Sequence, residues 1–199
     1  MKLVKRIFFI PRWRGLIYSR LTTPKSSTKA VISRPLLFTT FCIQWESGFS
    51  VGKNARIEGE KFYQGVQFSP QIIFHENVSI QQNCHITCAE RIEIGRETAI
   101  ASNVTITDIE HSYEDIYVPI EKQLLKTKPV KIGADCKIYN NAVILQGTEI
   151  GDHCVVGANS VVKGLFPNYS IIVGVPARVV KIFNPKVGRW ESVNPKKVL

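Results

Sequence analysis

Large aliphatic and aromatic residues recur at every sixth position along most of the chain after Val51. One series runs from Phe62 to Ile106 with a single slip of two residues, and a second runs from Ile132 to Val162 without a slip. Most hexads also carry a small or β-branched residue four positions later, and these are Val66, Val78, Cys84, Thr98, Val104, Cys136, Ala142, Thr148, Cys154 and Ser160. A period of six matches neither a helical turn nor the simple alternation of a strand.

Short strands joined by tight corners account for this period. Three hexads, about 18 residues, form one coil of a solenoid, and the large residue of each hexad points into the interior. Coils stacked on one another pair through parallel strands. The sequence therefore predicts an all-β parallel solenoid over residues 51–176, flanked by an N-terminal segment over residues 1–50 and a C-terminal extension over residues 177–199.

The period breaks between Ile106 and Ile132, where the chain leaves the solenoid as a loop of about 109–130. Loops of this length in compact domains are usually functional or disordered. This loop starts beside His111, at the point where a coil ends. The loop is therefore the first place to search for a functional site.

Charge favours anionic partners, because 26 Lys and Arg residues stand against 16 Asp and Glu residues, a formal net charge of +10. The basic residues of the N-terminal segment interleave with aromatic ones over a short stretch. We expect residues 1–20 either to lie on an anionic membrane surface or to cap the open end of the solenoid. Nucleic-acid binding is disfavoured, since the segment contains no recognised module. The apolar runs are too short to span a bilayer.

Five cysteines and no recognisable signal peptide indicate free thiols in a reducing cytoplasm. Cys84, Cys136 and Cys154 occupy the small interior position of their hexads, where a thiol packs as a small hydrophobe. Cys84 and Cys88 have no second pair with which to form a zinc site, and no metal is predicted.

The hexads, the loop and the closing sequence SIIVGVPARVVK together resemble the hexapeptide-repeat acyltransferases, whose fold is the left-handed parallel β-helix. The resemblance covers roughly residues 50–182. Within that family the chain looks like the O-acetyltransferases of surface polysaccharides, relatives of maltose and galactoside acetyltransferases. The resemblance implies a homotrimer with sites between subunits, acetyl-CoA as co-substrate, and no metal.

His111 is the catalytic residue that this resemblance implies, as the general base that takes a proton from a sugar hydroxyl. It follows the corner residue Ile106 by five positions, in the sequence Asp108-Ile109-Glu110-His111, where relatives often read Asp-His-x-His. A neutral imidazole accepts a proton near physiological pH. The other three histidines fall at separate hexad positions, which argues against a zinc carbonic anhydrase, the other enzyme considered on this fold.

Two further residues match catalytic positions of the family. Gln81 occupies the place of an asparagine that donates to the oxyanion, with Asn83 close by as a substitute. Glu114 lies three residues after His111, at an acidic position of the sugar-acetylating relatives. It either orients the imidazole or is an ordinary solvated charge of the loop.

The residues that match cofactor-binding positions of the family lie in the second block of hexads and the closing sequence, and they are Asn140, Ala158, Ser160, Lys163, Arg178 and Lys181. Arginine and lysine provide charge-assisted contacts to phosphate. Two positions depart from the family pattern: Tyr139 replaces a glycine and Gly164 replaces a lysine. These departures keep open an alternative, a catalytically silent scaffold in a glycan-assembly complex.

The expected function is O-acetylation of a sugar or oligosaccharide acceptor during biosynthesis of a bacterial lipopolysaccharide O-antigen, capsule or exopolysaccharide. The expected location is the cytoplasm or the inner face of the membrane.

Overall fold

The computed structural model describes residues 30–193, which form 25 short strands and one 3-10 helix, Ile120–Lys122. In chain order the strands are β1 (Val31–Ile32), β2 (Leu37–Phe38), β3 (Ile43–Trp45), β4 (Ser50–Val51), β5 (Arg56–Gly59), β6 (Phe62–Tyr63), β7 (Val66–Gln67), β8 (Gln71–Phe74), β9 (Ser79–Ile80), β10 (His85–Cys88), β11 (Arg91–Ile94), β12 (Ala99–Ile100), β13 (Thr105–Thr107), β14 (Ile109–His111), β15 (Leu125–Thr127), β16 (Val130–Ile132), β17 (Lys137–Ile138), β18 (Val143–Ile144), β19 (Glu149–Ile150), β20 (Val155–Val156), β21 (Val161–Val162), β22 (Leu165–Phe166), β23 (Ser170–Gly174), β24 (Ala177–Asn184) and β25 (Arg189–Ser192).

Three parallel sheets form the faces of a prism, because each coil contributes one strand to each face. Face A has the order β1-β4-β9-β12-β17-β20-β23, face B the order β2-β5-β10-β13-β18-β21, and face C the order β3-β8-β11-β16-β19-β22. Lys137 pairs with Val155, so one full coil takes 18 residues, as predicted. The corners are named the A–B, B–C and C–A edges after the faces they join.

The interior is filled by columns of the predicted hexad residues. On face B, the predicted hexad residues Ile86, Ile106, Ile144 and Val162 stack in register with Ile57, which the predicted series does not include, and all five are fully buried. Burial of each such side chain contributes about 1.5 to 3 kcal/mol, so the repeat itself supplies the stability of the solenoid.

The solenoid is already formed at Val31, twenty residues before its predicted start, which corrects the boundary at residue 51. Val31 and Ile32 pair with Ser50 and Val51, so the first coil lies within the segment taken as a flank. Its hexads are hard to recognise in the sequence because no glycine follows Ile32, Phe38 or Trp45 and because the spacing is interrupted around Phe41. Residues 1–20, with their expected membrane or capping role, lie outside the described residues.

Phe62, Phe68 and Val66 are not interior residues, although their spacing fits the period. Phe62 is 63% exposed. Coil 2 leaves face B after Gly59 and enters face C at Gln71, and residues 60–70 form an inserted antiparallel hairpin, here called the small hairpin. It turns at Gln64 and Gly65, both with positive φ, as a two-residue hairpin turn requires.

The predicted loop is an ordered structure, here called the arm (residues 109–129). Strands β14 and β15 pair antiparallel along it, with His111 opposite Leu125. The small hairpin and the arm both leave the solenoid at the B–C edge, from coils 2 and 4. The C-terminal extension continues face A, since β24 runs antiparallel to β23 and β25 antiparallel to β24.

Asparagines form a ladder along the A–B edge that the sequence analysis missed. Each has a φ near +60°, and each side-chain amide donates to the next asparagine over 3.0–3.3 Å, along Asn54, Asn83, Asn103, Asn141 and Asn159. Asparagine tolerates this left-handed conformation better than most residues. Its recurrence three positions after a hexad residue was the available signal.

No helix within residues 30–193 is long and apolar enough to cross a membrane.

Candidate active site

His111 lies near the base of the arm, half-buried, at the end of β14. Its ring packs edge-on against Tyr63 of the small hairpin, with centroids 5.4 Å apart and planes at 79°. His111 Nδ1 lies 3.4 Å from Tyr63 Oη. The imidazole is carried by the arm and therefore packs, at the B–C edge, against an insert from a different coil.

Asp108 fixes the point where the arm leaves the solenoid. Its carboxylate is fully buried and accepts the backbone N–H groups of Ala89, Glu90 and Arg91 at 2.7–2.8 Å. Those residues form the B–C corner of the preceding coil. Asp108 thus anchors the strand that carries His111, three residues further on. Sequence reasoning saw this aspartate as part of a motif but missed its anchoring role.

Glu110 points to the opposite side of β14 from His111, as successive residues of a strand do. Its carboxylate accepts from the side-chain amide of Gln146 and lies 3.5 Å from Lys163 Nζ. Gln146 is buried, and its Oε1 has no hydrogen-bond partner among the described residues. Lys163, a predicted cofactor residue, is therefore paired with the base of the arm.

Glu114 forms an ion pair with Lys126 across the arm, and that hydrogen bond holds the pKa of the Glu114 carboxyl below its usual range. Its other oxygen accepts from the Tyr113 N–H. The side chain seen beside the imidazole is Tyr63, not Glu114. This arrangement matches the surface-charge interpretation of Glu114.

Gln81, Asn140 and Ala158 share the A–B edge, on three different coils, and all are exposed. The Ser102 hydroxyl donates to Gln81 Oε1 over 3.1 Å. The Gln81 amide oxygen is thus occupied, and its NH2 group is the side that can donate to a ligand. Within one chain the structure does not bring this edge together with His111, which lies at the B–C edge.

The side chains of Ser160 and Lys181, both predicted cofactor residues, do not lie on the A–B edge. Ser160 is fully buried and its hydroxyl accepts the Gly174 N–H, so only its backbone is placed to contact a ligand. Arg178 pairs with Val173 at the A–B end of β23, whereas Lys181 lies three residues along β24, about 10 Å away. Arg178 therefore extends the A–B edge and Lys181 does not.

A coenzyme A fits the chemistry of the A–B edge. Asn140 offers an exposed amide and Ala158 an exposed backbone, and Arg178 forms no ion pair with any carboxylate of residues 30–193. An unpaired guanidinium suits a phosphate. Tyr139 projects outward, 44% exposed, with Lys137 Nζ 5.7 Å from its ring centroid. Its bulk lies on this edge rather than in the interior.

The remaining histidines pair with carboxylates at separate places. His75 lies between Glu46 and Glu93, and the hydrogen bond to Glu93 raises the pKa of its imidazole. His85 contacts Glu58, and His153 contacts Asp135. Within residues 30–193 no three His, Cys, Asp or Glu residues are grouped as metal ligands.

The five cysteines are unpaired and buried. Burial, reinforced by the neighbouring Asp108 carboxylate, raises the pKa of the Cys88 thiol. Cys84, Cys136 and Cys154 lie in the core, as their hexad position predicts.

Known proteins resemble the chain in sequence and in fold. The family model "Bacterial transferase hexapeptide (six repeats)" matches residues 129–164. A putative lipopolysaccharide biosynthesis O-acetyl transferase, WbbJ of Escherichia coli (strain K12), is 36% identical over 157 residues, which cover 75% of this chain and 76% of WbbJ. A probable acetyltransferase of Mycobacterium tuberculosis (strain ATCC 25618 / H37Rv) is 46% identical over 85% of this chain and 57% of its own length.

The galactoside O-acetyltransferase of E. coli is 30% identical over 69% of this chain and 65% of its own length. The chain thus spans less than two thirds of these last two relatives. The crystal structure of a hexapeptide-repeat acetyltransferase from Vibrio cholerae superposes with a TM-score of 0.55 at 22% identity, over 91% of this chain and 86% of that one. This likeness confirms the left-handed parallel β-helix. The repeat architecture and the extended similarity to WbbJ together establish that the chain belongs to the hexapeptide-repeat acyltransferase family.

Proposed function

We propose that this protein is an acetyl-CoA-dependent O-acetyltransferase that acts as a homotrimer on a sugar hydroxyl. The observation that carries the proposal is the division of the site between two edges. His111 lies at the B–C edge, and Gln81 and Asn140 lie at the A–B edge of the same chain. A site that needs both is completed where the A–B edge of one subunit meets the B–C edge of the next, as closed cyclic symmetry allows.

His111 acts as the general base in this site. Its imidazole takes the proton of the acceptor hydroxyl while the hydroxyl oxygen bonds to the thioester carbonyl carbon. The carbon–sulfur bond then breaks, and the same proton returns from His111 to the thiolate. The Gln81 amide, oriented by Ser102, donates to the oxyanion, an interaction typically worth about 3 to 4 kcal/mol in acyl transfer.

The remaining predicted residues serve the co-substrate. Asn140 and the backbone around Ala158 and Ser160 line its path, and Arg178 binds phosphate. Lys163 and Lys181 are less well placed to contact the co-substrate. Lys163 is paired with Glu110, and Lys181 lies away from the A–B edge. Glu114 supports the arm through Lys126.

A sugar acceptor is supported by the names of two relatives, a lipopolysaccharide biosynthesis O-acetyl transferase and a galactoside O-acetyltransferase. We infer that the acceptor belongs to a bacterial surface polysaccharide and that the reaction takes place in the cytoplasm, at the inner face of the membrane. The basic residues 1–20 favour that face because its lipids are anionic.

Calorimetric titration with acetyl-CoA tests the proposal before the acceptor is known. We expect saturable binding near one molecule per chain, unchanged in His111→Ala. Turnover on an acceptor found by screening falls by orders of magnitude in His111→Ala and stays at the wild-type level in His153→Ala, a matched variant at the C–A edge. A folded protein that binds no acetyl-CoA contradicts the proposal and favours the silent scaffold.

Mixing two inactive variants tests the shared site. In a co-expressed 1:1 mixture of His111→Ala and Gln81→Ala chains, about a quarter of the interfaces combine an intact A–B edge with an intact B–C edge. We therefore expect about a quarter of wild-type activity to return. A mixture as inactive as its components places the whole site within one chain, and sedimentation analysis independently gives the number of subunits.

A further inference from the structure

Tyr63 approaches the His111 ring from the small hairpin, an insert that no family motif of the sequence singled out. Its hydroxyl also contacts the 3-10 helix of the arm. Tyr63 Oη donates to the backbone carbonyl oxygen of Glu121 over 2.6 Å and lies 3.3 Å from the Glu121 carboxylate. The neighbouring Gln64 amide donates to the same carbonyl over 2.9 Å. The small hairpin is thus fastened to the arm directly beside the imidazole.

The direction of these hydrogen bonds determines which tautomer of His111 can hydrogen-bond to Tyr63. A tyrosine hydroxyl has one proton, and the Glu121 backbone carbonyl and carboxylate are both hydrogen-bond acceptors. The proton therefore goes to Glu121, and the side of the oxygen that faces His111 offers a lone pair. At 3.4 Å this lone pair can accept a hydrogen bond from an Nδ1–H group, and that contact favours the tautomer in which the Nε2 lone pair is free.

We propose that Tyr63 is a positioning residue that orients the His111 ring and fixes its Nδ1–H tautomer, leaving Nε2 as the basic atom. This inference rests on the proposed function of His111. The edge-on packing restricts rotation of the ring, and the hydroxyl selects which nitrogen is free. Tyr63 thereby takes the orienting role that a carboxylate has in other histidine bases.

The other charged groups near β14 are engaged elsewhere. Glu110 faces Gln146 and Lys163 on the far side of the strand, and Glu114 is paired with Lys126. Among residues 30–193, the polar atom placed to hold Nδ1 is therefore the Tyr63 oxygen. At 3.4 Å the contact is at the long end of hydrogen-bond geometry, and catalytic hydrogen bonds often shorten only when substrate binds.

Tyr63→Phe tests the proposal, because it keeps the aromatic ring and removes only the hydroxyl. We expect kcat to fall by about tenfold, the effect of one hydrogen bond, with the KM for acetyl-CoA unchanged within about twofold. Tyr117→Phe is the matched control, since Tyr117 lies on the same arm and is 90% exposed. It is expected to leave both constants unchanged.

Ring spectra of 15N,13C-histidine-labelled protein read the tautomer without any acceptor. The chain has four histidines, and the signals lost in His111→Ala assign His111. We expect Nδ1–H in the wild type and a mixture of both tautomers in Tyr63→Phe.

A wild-type His111 protonated at Nε2 overturns the proposal, even where Tyr63→Phe fails to fold. So does a Tyr63→Phe variant with unchanged kcat and unchanged spectra. Full turnover by His111→Ala refutes the proposed base instead, and the tautomer measurement then still decides the role of Tyr63.

Discussion

Replacing Asp108 by asparagine is expected to destabilise the protein strongly, although the two side chains have nearly the same shape. One carboxylate oxygen accepts the Ala89 N–H, and the other accepts the N–H groups of Glu90 and Arg91. Asparagine has one acceptor oxygen, so its NH2 group must face at least one of these donors. The site is fully buried, and water cannot replace the lost partner.

The magnitude follows from these contacts. A hydrogen bond to a charged group contributes about 1.5 to 3 kcal/mol, and an unsatisfied buried donor costs about 1 to 3 kcal/mol. Losing one such bond, leaving one donor unpaired and weakening the other two bonds amounts to about 3 to 5 kcal/mol. Activity is expected to fall as well, because the strand released by Asp108 carries His111 three residues later.

Urea unfolding at one fixed protein concentration measures the effect, since the stability of the proposed homotrimer depends on concentration. Asp152→Asn is the matched control. Asp152 also accepts a backbone N–H, that of Ala134 at 2.7 Å, but it is exposed, so we expect a loss below about 1 kcal/mol. Equal losses in the two variants refute the reasoning, because both remove one negative charge and only one of them is buried.

Three further changes separate the forces described above. Asn103→Ala loses two ladder hydrogen bonds and places alanine at a φ of 62°, so we expect the free energy of unfolding to fall by about 2 kcal/mol. Asn103→Gly loses the same bonds without backbone strain, and we expect about half that loss. Thermal unfolding measures both variants. Because Glu93 raises the pKa of His75, the pair of protonated His75 with Glu93 stabilises the folded protein. This contribution is full below about pH 6.5 and disappears as the pH rises through the folded-state pKa of His75. The loss in His75→Gln, less than about 1 kcal/mol for this partly exposed pair, is thus larger at about pH 6 than at about pH 9; the opposite trend contradicts the assignment. Glu114→Gln leaves kcat within about twofold, since its carboxylate binds Lys126, and a loss of orders of magnitude makes it the orienting group.

The repeated part of the fold was predictable because its pattern has one steric cause. A narrow triangular interior accepts a large side chain and a small one per hexad, and Gly133 shows how close the coils lie, since a Cβ there would be 2.6 Å from the backbone of Gly151. Phe62 and Phe68 show the limit of the same pattern. Their spacing fits the period, but the Gln64-Gly65 turn removes them from the coil.

The candidate site was predictable only in part. Counting hexads places Gln81, Asn140 and Ala158 on one edge and His111 at another corner, as the structure has them. The surroundings of His111 depend on contacts between segments distant in sequence. The pairing of Tyr63 with Glu121 joins two inserts 58 residues apart, and local periodicity contains no information about it.

The small hairpin and the arm both lie at the B–C edge, so the outer surface of this edge can change without a change in the coils. The small hairpin and the arm leave coils 2 and 4 at the B–C edge and face each other across the tight corner of coil 3, while the ladders behind them continue without a break. Lengthening or exchanging the outer parts of these inserts therefore leaves the repetitive framework untouched. To change the acceptor while keeping the solenoid, the small hairpin and the arm should therefore be transplanted together, because they contact each other.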